Sequence, residues 1–282
     1  MSILKISNQY FDPDILRQVT TFVAILSSII INTISNFFPA DGLDMASLSD
    51  VLFTSVQILP ANYAFAIWGL IYLSLIVFGI YQVQPSQRYN PRLQRSGYLL
   101  AFACIAQCTW IYLFLARLFP LSVIAMLGIL VPLILMYQVL HLDHRLISQK
   151  EEWFICTPIS IYLGWITAAF VVNVSLALYS LNWNGWNIAS PIWTVIMMAV
   201  ATAIASLVMI KYQDTAYALV IVWTLIAIAI RQSHMPLVTG MAILMAIALV
   251  LLCLRDNQEK RIREALEFMN LTATPEDIKR EY

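Results

Sequence analysis

Charge is scarce in this sequence: Asp, Glu, Lys and Arg make up 11% of its 282 residues, where a soluble domain carries about a quarter. The 16 basic and 16 acidic residues cancel, so no global field recruits nucleic acid, and a nucleic-acid partner is excluded. Cysteine is equally thin. Cys104, Cys108, Cys156 and Cys253 fall inside or at the ends of apolar runs with no paired CxxC, which excludes a disulfide framework and a cysteine zinc site. The first six apolar runs have no Asp, Glu, Lys, Arg or His at their centres. An ion-coupled pump or a mid-membrane acid/base enzyme therefore lacks its working groups. The nearest cluster of metal-ligand types, His141, Asp143 and His144, lacks further donors and reads as a solvated helix end. With no nucleophile–base pair and no phosphate-binding loop, neither an enzymatic activity nor a required cofactor is expected.

What the chain has in excess is apolar surface, with 61% hydrophobic residues. A spanning helix needs about 20 mostly apolar residues to cross roughly 30 Å of hydrocarbon. Eight runs approach that length, at 18–38, 62–83, 97–116, 120–141, 154–180, 190–210, 213–230 and 236–254. The pattern predicts an all-α integral membrane protein with about eight transmembrane helices. The first run ends in Phe37-Phe38-Pro39 without an Ala-x-Ala cleavage pattern, so it reads as a retained span.

The loops test that count independently, because cytoplasmic connections collect Lys and Arg. Fourteen of the sixteen basic residues fall before span one, in segments 84–96, 142–153 and 211–212, or after residue 254; only Arg117 and Arg231 lie on the other side. The alternation holds through every predicted span and places both termini in the cytoplasm. Segment 1–17 is then a cytoplasmic N-terminal segment and 255–282 a charged cytoplasmic tail. In that tail Asp256 with Lys260 and Glu259 with Arg263 make i,i+4 pairs that favour a helix continuing from span eight, and Thr274-Pro275-Glu276 reads as the start of another. Short loops and the absence of targeting signals suit a bacterial cytoplasmic membrane. On the opposite side, loop 39–61 is acidic and its apolar stretch Val51–Leu59 predicts a short helix lying on the outer surface. Trp183 and Trp186 read as interfacial anchors.

Three spans carry aromatic and polar residues at helical spacing. Trp68, Tyr72, Leu75 and Gly79 share one face of span two. In span three the face holds Ala103, Gln107, Trp110 and Phe114, and in span five Tyr162, Trp165, Ala169 and Asn173. Two readings are open. The faces are helix seams, with small residues such as Gly164 and Ala168 allowing close approach, or they wall a pocket for a flat apolar ligand oriented by amides.

The stretch Pro60-Ala-Asn-Tyr-Ala-Phe-Ala-Ile-Trp-Gly-Leu-Ile-Tyr72 resembles the start of the second helix in the TspO/MBR family, the tryptophan-rich sensory and translocator proteins. Gln107-Cys-Thr-Trp-Ile-Tyr-Leu-Phe114 is similar to that family's third helix, and Pro158 to Asn173 to its fifth. The resemblance implies a TspO-like five-helix bundle over 18–182 with a ligand cavity toward one end, and makes 183–254 a set of additional transmembrane helices, as in a longer TspO-related branch. It also implies a candidate ligand-binding set: Tyr63, Phe65, Trp68 and Tyr72 from span two; Gln107, Trp110 and Phe114 from span three; Tyr162, Trp165, Ala169 and Asn173 from span five. Family ligands are porphyrins and other tetrapyrroles, sterols and synthetic compounds. The first loop lacks the family's usual tryptophan-proline signature. The expected function is a receptor or carrier for such a ligand, with membrane lipid as surroundings and a second copy or another membrane protein as partner. The alternatives are a ligand-free scaffold or assembly factor and a secondary transporter of a small solute.

Overall fold

The computed structural model describes residues 12–39, 42–142 and 147–272. Asp143, His144 and the helix start at Thr274-Pro275-Glu276 lie outside the described residues, as does most of segment 1–17.

The elements are α1 (Pro13–Phe37), α2 (Met45–Leu52), α3 (Ile67–Gln82), α4 (Pro91–Ser96), α5 (Leu99–Leu115), α6 (Phe119–Leu142), α7 (Gln149–Glu151), α8 (Thr157–Ser180), α9 (Ser190–Tyr212), α10 (Thr215–Arg231) and α11 (Pro236–Thr272). A 3₁₀ turn, Asn62–Ala66, leads into α3. Helix starts follow capping chemistry. Asp12 accepts from the Asp14 amide at 2.9 Å with Pro13 in the first turn, Asp44 accepts from Ser47, and Asp214 accepts from Tyr217. Ser148 and Glu151 form a capping box at the start of α7.

Between α7 and α8 the chain makes a π-helical turn, Glu152–Cys156, marked by the Thr157 amide donating to the Glu152 carbonyl. Pro158 is the cause we assign. It has no N–H to offer the Phe154 carbonyl, and its ring crowds that position, so the ladder slips to the wider repeat.

Among the described residues, eight apolar helices occupy the eight expected positions. Six are long enough to cross a membrane by length and composition. The other two, α5 and α10, have 17 residues each, about 25 Å at ~1.5 Å per residue. Both pack on other helices, α5 on α1 and α6 and α10 on α8, α9 and α11. The helix expected to continue from span eight is present, since α11 runs unbroken to Thr272 and Lys260 pairs with Asp256 at 3.0 Å. Glu259 pairs with Arg255 at 2.9 Å.

Five helices close a ring: α1 packs on α5, α5 on α6, α6 on α8, α8 on α3, and α3 back on α1. Close approach depends on small residues. A Cβ at Gly79 would stand 2.9 Å from Phe22 of α1. The remaining spans attach through α10, which packs on α8 and joins α9 and α11 into a trio. Gly164 makes that seam, since its Cβ would meet Val220 at 3.1 Å and the Tyr217 carbonyl at 3.2 Å. Tyr217 donates to Thr167 at 3.0 Å and Tyr137 donates to Asp214 at 2.9 Å, tying α10 to α8 and α6.

One expectation is corrected. The apolar part of loop 39–61 does not lie on the surface. Its helix is Met45–Leu52, and Met45, Leu48, Phe53 and Leu59 are buried in the mouth of the ring. The same hydrophobic stretch that could cover a bilayer surface covers protein instead. Trp183 and Trp186 cluster with Trp193, whose indole N–H donates to the Gly185 carbonyl at 2.7 Å, and Trp186 remains 71% exposed.

Candidate functional site: an aromatic chamber under a lid

Within the ring, α3, α5 and α8 turn their aromatic faces toward one another. Trp68 meets Trp165 edge-on at 6.3 Å, and Phe65 meets Trp165 at 6.0 Å. Across the chamber Trp110 leans on Phe114 at 5.4 Å. These edge-to-face and tilted contacts suit the ring quadrupoles and give rigid walls. They enclose a cavity of about 40 Å³ whose lining is almost entirely apolar.

A polar tier supports the chamber from below. Gln107 lies between two phenols: its amide nitrogen donates to Tyr72 at 2.7 Å, and its carbonyl accepts from Tyr162. Trp68 stacks on Tyr72 at 5.4 Å, so the tier fixes the plane of one wall. Gln107 and Tyr162 are fully buried, and their mutual bonds offset a desolvation cost that either alone would carry. Asn173 is held from α6, exchanging hydrogen bonds with Ser122 at 3.1 and 3.2 Å.

Two donors are left over. The indole nitrogens of Trp110 and Trp165 are buried and have no hydrogen-bond partner in the protein. A buried indole N–H usually finds an acceptor, and one without it costs about 1–3 kcal/mol.

Of the residues singled out from sequence, Phe65, Trp68, Trp110, Phe114, Trp165, Ala169 and Asn173 line the cavity. Tyr72, Gln107 and Tyr162 form the tier beneath it. Tyr63 is elsewhere, 39% exposed and edge-on to Trp223 of α10 at 5.2 Å. The 3₁₀ turn explains this, because its tighter winding rotates Tyr63 off the stripe that an α-helix would present.

Two sets of wall residues were not anticipated. The lid contributes Met45, Ser49, Leu59 and Pro60, and α10 contributes Thr224. The lid is fastened to α10 and the turn after it. Asp50 pairs with Arg231 and accepts from Asn62, Gln232 donates to the Gln57 carbonyl at 2.9 Å, and the Ala61 amide donates to the Ala227 carbonyl at 3.0 Å.

Eight apolar helices, uncharged span centres and an aromatic chamber within a five-helix ring define a multi-pass integral membrane protein. The chain belongs to the TSPO-like protein family, whose model matches residues 18–255. That match covers α9, α10 and the first 20 residues of α11. No curated protein and no solved structure matches the chain.

Proposed function

We propose that the protein is a receptor or carrier for a flat apolar ligand with hydrogen-bond acceptors, a tetrapyrrole first among candidates and a sterol-like molecule second. The observation that carries this reading is that Trp110 and Trp165, two residues of the largely apolar chamber lining, have buried indole N–H groups without a protein acceptor among the described residues. Acceptors on a ligand edge would satisfy both, while Trp68 offers a flat wall. Binding rather than catalysis fits the lining, which has no charged side chain.

Size imposes a condition. Ligand pockets measure about 300–1,000 Å³, and the closed chamber measures about 40 Å³. The lid must withdraw for a tetrapyrrole to enter, and its links to α10 set the ease of that step. In this reading the basic loops face the cytoplasm of a bacterial cell and the lid faces outward.

The test is a titration of detergent-purified protein with protoporphyrin IX, following tryptophan emission in wild type, Trp110→Phe and Trp165→Phe. Saturable quenching, weakened about three- to tenfold by each loss of an N–H donor, is expected. A signal without saturation overturns the reading. The small closed volume favours a second reading, a scaffold whose aromatic faces are packing alone; it predicts no saturable quenching and stoichiometric co-purification with a membrane complex.

A further inference from the structure

On the outer flank of the ring, a groove of about 660 Å³ runs between α3 and the π-helical entrance to α8. This is the volume of a ligand pocket, and it is open without any movement of the lid. Leu70, Leu73 and Val77 form one wall; Trp153, Phe154 and Pro158 form the other. The π turn builds the second wall. It carries Trp153 and Phe154 at the flank, where Trp153 is 62% exposed and Phe154 rests against Tyr81 at 5.2 Å.

The groove is mostly apolar, with the hydroxyls of Ser74 and Thr157 among its walls, and changes character at one end, where Gln149 and Lys150 line it. That end is the basic one, where Arg17 meets the Arg88 carbonyl and Arg92 meets Glu151. Lys150 lines the groove there, is exposed, and makes no ion pair among the described residues. Its neighbour Glu151 does not neutralise it, because that carboxylate is engaged by Arg92 at 2.9 Å and Asn90 at 3.0 Å. Glu152 is not part of the lining. One turn beyond Trp153 stands Thr157, whose hydroxyl makes no hydrogen bond among the described residues. From the end inward the groove thus runs from a cation to aromatic and aliphatic walls.

We infer that this groove is a binding site for an anionic glycerophospholipid of the leaflet at the basic end. Lys150 meets the phosphate, and one acyl chain lies along Trp153, Phe154 and Leu73. Indole at the headgroup boundary and a basic residue beside an anionic leaflet are each favourable there. The site is separate from the chamber, shares no lining residue with it, and does not rest on the tetrapyrrole reading.

The experiment places the full-length protein in lipid nanodiscs containing equal fractions of phosphatidylglycerol and phosphatidylcholine, with bromine on the acyl chains of one or the other. The contribution of Trp153 is obtained by subtracting a Trp153→Phe variant, a change at an exposed side chain. Brominated phosphatidylglycerol is expected to quench Trp153 several-fold more than brominated phosphatidylcholine. Lys150→Gln is expected to erase that preference and Lys150→Arg to keep it. Equal quenching by the two lipids in wild type, or a preference unchanged in Lys150→Gln, would overturn the proposal.

Discussion

The two ends of the ring are closed by different means. At the basic end, polar contacts join ring helices and their own loops: Arg17 with Asp14, Arg92 with Glu151, and Gln18 with Gln82, whose side chains each bond the other's carbonyl. At the lid end, the corresponding contacts run from loop 44–61 to α10 and the turn after it, outside the ring. The guanidinium side chains of Arg17 and Arg92 are each only 6% exposed, against 20% for Arg231 and 34% for its partner Asp50. One end is therefore closed by buried contacts within the ring, and the other by more exposed contacts to helices outside it.

The largest effect expected from this contrast is on stability at the basic end. Glu151→Ala removes the carboxylate from a mostly buried guanidinium and takes away the acceptor of Ser148 and one of the two acceptors of Asn90. It should cost about 3 kcal/mol and lower Tm in detergent by roughly 5–10 °C. No change in Tm would mean that the two ends do not differ as described. Next in size is Gly164→Val, which forces α8 and α10 apart at their closest approach. Overpacking of this kind costs about 1–3 kcal/mol, and because α10 holds the lid, the variant should also expose Ser49→Cys to thiol reagents.

Arg231→Ala sharpens the comparison from the other side. An ion pair with solvent access of this kind is worth about 0–1 kcal/mol, so thermal unfolding should barely shift. Labelling of Ser49→Cys, a lid position 3% exposed in the closed protein, should become several-fold faster. Equal labelling rates with and without Arg231 would show that the ion pair does not hold the lid. The smallest effect is expected at Tyr63→Ala, since Tyr63 packs on Trp223 away from the chamber. Protoporphyrin quenching should change less than twofold.

Much of this architecture was legible in the residues. Hydropathy and loop charge located all eight membrane helices to within a few residues, except that helix runs on before Phe154 and beyond Leu254. The stripes of α3, α5 and α8 were visible because an α-helix puts residues three, four and seven apart on one face. Four features were hidden. Tyr63 left its stripe because the helix starts with a 3₁₀ turn. The lid was misplaced because an amphipathic segment has the same pattern whether it covers lipid or protein. Thr224 joined the wall through a contact between distant parts of the chain, which periodicity within one helix cannot report. The π turn follows from Pro158, but a proline near a helix start is equally compatible with an ordinary first turn.

The central claim is that ligand occupies the chamber beneath the lid. It is tested most directly by Asp50→Cys/Arg231→Cys in a background with Cys104, Cys108, Cys156 and Cys253 replaced, bridged by a short bis-methanethiosulfonate. The account predicts that the bridged protein shows no saturable protoporphyrin quenching and that reducing the bridge restores it. Equal saturable quenching in the bridged and reduced states would contradict the account and place the ligand elsewhere.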